Sequence, residues 1–298
     1  MRKVICLVGF VLLFFGGLHR EYILWGSEEN IKEILTMEEW NRYQELTGIQ
    51  SKKKEVSGKY WQAVGPSFDV ANPKDKEPAQ LYKEELEKYD KILKEKSREF
   101  FEILIPQKEK IFLLAVEIDI KDSESAGWIL AKGFSDIESN PETFLKAYVC
   151  LNKYEDRMQR KEMRDSMRNG IFYLVDKSTF EQEENRIRFA NNFLLSEGSI
   201  EDKKITAKFL WEVWSGFFPR IERMENKSEA YEKMNQQSLS IIETLNSIKT
   251  DIKLTEEVNK VLQNFHAHYS RKDLPVEFLQ SSSISNVKEK IAQSMKKD

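Results

Sequence analysis

An unbroken uncharged stretch from Val4 to Leu18 stands directly behind Arg2 and Lys3, and no other feature constrains this chain as much. A short basic segment followed by an apolar run has the form of the first two regions of an export signal. Basic residues stay on the cytoplasmic side, so the order predicts that everything after Leu18 is carried across a membrane. The side chains expected in the bilayer are Val4, Leu7, Val8, Phe10, Val11, Leu12, Leu13, Phe14, Phe15 and Leu18. The 15 residues from Val4 to Leu18, at about 1.5 Å each, reach ~22 Å against a hydrocarbon core of ~30 Å. Tyr22, Ile23, Leu24 and Trp25 extend the span and place two aromatic rings at the interface they favour. Cutting after Gly17 or Gly26 would set Phe15 or Leu24 at the −3 position, where cleavage wants a small residue. The order therefore favours an uncleaved anchor within residues 1–26, with a cleaved signal as the alternative.

Composition narrows the rest. With 12 Gly, 7 Pro and 11% aromatic residues in 298, the chain is neither collagen-like nor disordered throughout. From Glu21 onward 44 basic residues face 50 acidic ones, a net charge of −6. That balance suits neither nucleic acid nor anionic lipid as a partner. Cys150 is the one thiol beyond the apolar stretch, so an internal disulfide is not expected there, and its helical setting predicts a buried, inert side chain.

Helix signals dominate, and the fold class expected is mostly α: amphipathic helices packed as a bundle, a long coiled-coil-like pair of carboxy-terminal helices and at most a small strand element. Residues 27–48 read as a helix stopping at Thr47-Gly48, and residues 49–78, with Lys52-Lys53-Lys54, two glycines and three prolines, as a linker-like ordered loop. Residues 79–220 read as a helical body. Within it Lys110–Ile120 fits both a helix and a strand, with helix favoured because few other strand candidates exist to pair with it, Ile171–Val175 being the main one. Asn140-Pro141-Glu142 marks a helix start, and Asn169-Gly170 a stop. Residues 221–270 carry the most regular pattern. Tyr231, Met234, Ser238, Ile241, Leu245, Ile248 and Ile252 alternate steps of three and four, a heptad seam of about three repeats. Packing inside a bundle is the favoured reading of that seam, with pairing to another chain as the alternative. Residues 271–298 read as a polar tail.

Chemistry-bearing motifs are sparse. No glycine-rich phosphate loop, nucleophile elbow or helical zinc motif occurs, so no catalytic residue, cofactor or metal ligand is assigned. His266-Ala267-His268 has metal-like residues, but on a helix positions two apart diverge by about 200°. Acidic pairs such as Glu117 with Asp119, and Glu181 with Glu183 and Glu184, are expected on solvated faces. Trp211, Trp214, Phe217 and Phe218 fit core packing first and an exposed binding patch second. Asn226-Lys227-Ser228 matches the N-glycosylation sequon.

The stretch from Asn140-Pro141-Glu142-Thr143 through Ala147-Tyr148 to Tyr154 resembles a helical segment of the TraF-type conjugal pilus-assembly proteins. The resemblance implies an exported, periplasmic assembly component, although no C-x-x-C follows it here. The function expected from these features is non-enzymatic: a membrane-anchored, extracytoplasmic helical protein acting through protein partners or self-association. A component of an envelope secretion or conjugation apparatus is the first alternative. An exported hydrolase of cell-wall or glycan substrates, using aromatics near Trp61 or Trp211, is the second.

Overall fold

A computed structural model describes residues 28–66, 70–71, 73–119, 123–196 and 198–295, so Val4–Leu18 and Tyr22–Trp25 lie outside the described residues. Among those described, every regular element is helical, and the chain divides into two helical units between Phe134 and Ser135. None of these helices is long and apolar enough to cross a membrane.

The first unit contains α1 (Glu28–Ile34), α2 (Met37–Val64), α3 (Lys76–Leu104), α4 (Lys108–Asp119) and α5 (Ser123–Gly133). A capping box opens α2: Thr36 accepts from the Glu39 N–H, and Glu39 accepts from the Thr36 N–H. The helix then runs straight through Gly48 and Gly58, which corrects the expected stop at Thr47-Gly48 and the expected loop over 49–64. Each glycine costs about 1 kcal/mol in a helix interior. Tyr43, Leu46, Val56, Tyr60, Ala63 and Val64 outweigh that cost by burying along the antiparallel partner α3. Even Lys53, from the middle of the triple lysine, is buried and paired with Asp90. The true connection is short. Gly65 turns it at φ 88°, a left-handed value that suits glycine, and Lys74 and Asp75 donate back to the Val64 and Ala63 carbonyls.

Around the other end of this hairpin the core is aromatic. Phe100 lies 6.2 Å from Tyr43, and Phe101 stands edge-on to Trp128 at 4.8 Å. Helix α4 settles the ambiguous Lys110–Ile120 segment as helix through Asp119. Its β-branched content reflects burial on nearly every side, with Ile111, Phe112, Leu114, Ala115 and Ile118 fully enclosed.

The second unit contains α6 (Pro141–Lys153), α7 (Lys161–Lys177), α8 (Phe180–Leu195), α9 (Ile200–Ile221), α10 (Lys227–Ile248), α11 (Ile252–Tyr269), α12 (Val276–Leu279) and α13 (Ile284–Met295). Side-chain caps start four of these eight as the residue types demand. Asn140 accepts from Glu142 and Thr143, Thr179 forms a capping box with Gln182, Ser199 accepts from Asp202, and Asp251 accepts from Lys253. Helix α9 is central and packs against α6, α7, α8, α10 and α11. Cys150 is buried on α6. Helix α7 does not stop at Asn169-Gly170 as expected. A side chain at Gly170 would meet open space, and continuing the helix buries Ile171 and Val175. The stretch considered as a strand is therefore part of α7.

The seam is real but faces inward. Tyr231, Met234, Ser238, Ile241 and Leu245 are fully enclosed and Ile248 nearly so, where α10 packs on α8, α9, α11, α12 and α13 of the same unit. Ile252 leaves the pattern. It begins α11 beyond the turn and is 90% exposed. Nor is 271–295 simply a polar tail, because Phe278, Ile284, Val287 and Ile291 all bury into the unit.

Two consequences are measurable. A Cβ on Gly133 would stand 2.5 Å from the Ile111 Cγ2, a branch methyl with no free space around it. Gly133→Ala should therefore lower stability by about 1–3 kcal/mol in denaturant unfolding despite its helix propensity. Burial alone would raise the Glu39 carboxyl, but donation from Lys110, the Thr36 backbone and Gln107 outweighs it and holds the group at about 2. A carboxyl depressed in the folded state adds stability above its unfolded value, here 4.5, and loses it as pH falls toward about 2. Glu39→Gln should flatten the stability profile across that acid window.

Candidate functional site

The two histidines of α11 part company. His266 is exposed, whereas His268 turns into the core, as their 200° divergence on a helix requires. Five rings enclose the His268 imidazole: Phe218 at 4.6 Å, Trp214 at 4.9 Å, Tyr269 at 5.8 Å, Phe278 at 6.0 Å and Trp211 at 6.2 Å. Among the described residues its Nε2 finds no hydrogen-bond partner, and neither does the enclosed Tyr231 hydroxyl beside Phe218 and Phe278. Burial disfavours the charged imidazole and pushes its pKa down to about 4. Arg271 adds to that shift and Asp273 opposes it. Burial raises the Tyr231 hydroxyl to about 12, helped by Glu222 and Glu277. At neutral pH the whole cluster is uncharged.

A polar thread runs beside the rings. The Trp214 indole N–H donates to the Met234 carbonyl at 3.3 Å. Tyr269 donates to Asn235 Oδ1 at 2.5 Å, and its hydroxyl lies 2.9 Å from Ser238 Oγ. The Asn235 amide donates to Ser281 Oγ at 2.8 Å, and Ser281 donates to Glu232 at 2.7 Å. Ser283 gives Glu232 both its hydroxyl and its backbone N–H. Burial would raise Glu232, yet donors from Ser283, Ser281 and Ser282 prevail and hold it at about 2. Through this thread the segment after α12 is tied to α10.

A second cluster joins α7, α8 and α9. Glu183 and Arg186 form an ion pair at 2.7 Å, each side chain only 2% exposed, and Ser178 donates to the same carboxylate. Arg186 lies 3.8 Å over the Phe144 ring. Arg220 donates to the Val175 and Ser178 carbonyls, so a cation closes the carboxy-terminal end of α7. Desolvation dominates in both members of the pair, pushing the Glu183 carboxyl up and the Arg186 guanidinium down.

The acids named from sequence fall on both sides of the surface. Glu181 and Glu184 are exposed, but Glu117, Asp119 and Glu183 are buried, which corrects their assignment to solvated faces. Glu117 accepts from the Asn30 side chain at 2.8 Å. Trp214, Phe217 and Phe218 lie in the core, and half-buried Trp211 stacks on Trp214 at 5.6 Å. Trp61 belongs to the other unit, stands 43% exposed and packs on Tyr60. Asn226 is exposed and makes no capping bond. No group of three or more His, Cys, Asp or Glu among the described residues is placed to hold a metal ion. Sequence reasoning missed the Glu183–Arg186 pair, although both fall on the face of α8 that carries Ile187, Ala190 and Leu194. It also missed the serine contacts of Glu232, which join segments about 50 residues apart.

Comparison with known protein families, with curated proteins and with solved structures finds no match for this chain. Removing one partner of a buried ion pair strands the other charge. Arg186→Met should cost about 3–5 kcal/mol, and adding Glu183→Leu should recover much of it in a double-mutant cycle read by thermal unfolding.

Proposed function

We propose that this chain is a membrane-anchored protein whose helical body lies outside the cytoplasm and works by binding other proteins rather than by catalysis. The observation that carries the reading is the order of Arg2-Lys3, the uncharged run Val4–Leu18 and the interfacial Tyr22 and Trp25. A body of net charge −6 from Glu21 onward agrees with it, since such a surface is repelled by nucleic acid and anionic lipid alike.

The state of the chemistry-bearing groups supports a binding role. His268 is sealed among rings, Glu183 is committed to Arg186 and Ser178, and Glu232 is committed to the serines of the tail. The seam Tyr231, Met234, Ile241, Leu245 and Ile248 serves the unit's own core, so recognition falls to apolar side chains that remain outside. Ile252 at 90% exposure and Val276 at 62% are the most prominent in the second unit, and Met37 at 67% and Leu81 at 59% in the first. Self-association through such positions fits the same reading.

Fractionation with a topology reporter fused after Asp298 tests the placement. The intact product should pellet with membranes, resist alkaline extraction and present the reporter outside the cytoplasm. Arginine at both Val11 and Leu12, at about 2.5–3.5 kcal/mol of insertion cost each, should release it. Intact wild-type product dissolved in the cytoplasm would overturn the proposal.

A further inference from the structure

The carboxy-terminal segment is held to its unit by two fastenings of opposite chemistry. One is ionic and reaches α10: Glu232 takes the Ser281 and Ser283 hydroxyls, while Lys249 and Asn246 hold Ser294 at the far end of α13. The other is aromatic. Phe278 of α12 enters the ring cluster, 5.2 Å from Phe218, 5.5 Å from Tyr231, 5.3 Å from Tyr269 and 6.0 Å from His268. Helix α13 packs on both α10 and α11, and its Ile284, Val287 and Ile291 are buried.

His268 is the one member of the aromatic fastening that ionises at moderate acidity, and its position leaves a charge poorly served. Its Nε2 meets no acceptor among the described residues. From α9 it is faced by Trp211, Trp214 and Phe218, none of them ionisable in this range. Tyr231 on α10 and Tyr269 on α11 are both phenols held neutral by burial. From the connection before α12 come Arg271, which opposes a positive imidazole, and Asp273, which favours one but is engaged by Arg271 in a two-bond pair. From α12 come Phe278 and the neighbouring Glu277, whose influence falls on Tyr231.

We propose that His268 is an acid-sensitive latch: protonating its imidazole breaks the aromatic fastening, so that α12 and α13 lift from the unit and uncover the apolar seam of α10 and α11. The ionic fastening does not share this response, because Glu232 remains a carboxylate down to about 2. The sign follows from linkage. The imidazole is depressed from 6.5 to about 4 when enclosed, so the lifted state takes up the proton first as pH falls. The opening equilibrium is flat above about 6.5, grows as pH falls and levels off below about 4. Between pH 7 and pH 5 it should rise roughly 20–30-fold.

Hydrogen exchange of the full chain in detergent, read by mass spectrometry after correction for intrinsic rates, tests the latch. Peptides covering 276–295 should lose protection roughly 20–30-fold from pH 7 to pH 5, while peptides of α8 keep theirs. His268→Phe should abolish the pH dependence of the tail. Glu232→Gln should lower tail protection by the same factor at both pH values, leaving the dependence intact. If His268→Phe does not fold, the imidazole of the wild-type chain is followed by nitrogen-15 NMR, and its protonation must coincide with the exposure of 276–295. Tail and α8 losing protection together, or an unaltered pH dependence in His268→Phe, would overturn the proposal.

Discussion

Trp214 has to be enclosed, and the second unit is arranged around doing so. The indole is too large for a pair of helices to cover and carries an N–H that needs an acceptor wherever it is buried. Helix α9 brings the ring in, the Met234 carbonyl of α10 takes the N–H, and Phe265, His268 and Tyr269 of α11 close around it. Three helices are thereby committed to one side chain. The remaining gap, beside Phe218 and Tyr231, is filled by Phe278 from a segment that composition alone would leave in solvent.

That dependence explains which parts of the fold were legible in the sequence. Helical character could be read almost everywhere, because caps such as Asn140, Thr179 and Ser199 and the 3-4 spacing of apolar residues are local signals. Helix ends were harder. Gly48, Gly58 and Gly170 look like stops one residue at a time, yet each sits inside a helix whose burial against a neighbour outweighs about 1 kcal/mol of glycine cost. The partner that supplies this burial is far away in the chain, so no local window reveals it. The tail failed for the same reason. Its apolar stripe of Ile284, Val287 and Ile291 is thin, and its serines become meaningful only once Glu232 lies opposite them.

The candidate site was less legible than the fold. Residue types pointed to His268 and to the tryptophans, but their value depends on what encloses them, which spacing does not encode. Buried charge was concealed too. Glu117, Asp119 and Glu183 belong to a chain with 50 acidic residues, and number alone argues for the surface. A carboxylate in phase with the apolar stripe of its own helix, as Glu183 is, signals otherwise. The first unit repeats the lesson at Glu39, which is 5% exposed and tolerable there because Lys110, Gln107 and Thr36 all donate to it.

Cys150 lies in the midst of α6 with 1% of its surface accessible, in the same unit as the aromatic cluster. A thiol reagent can reach its sulfur only when that unit opens, so the rate of modification counts openings rather than encounters. The native sequence therefore contains its own clock for the parting of α6 from α8 and α9, with no label introduced.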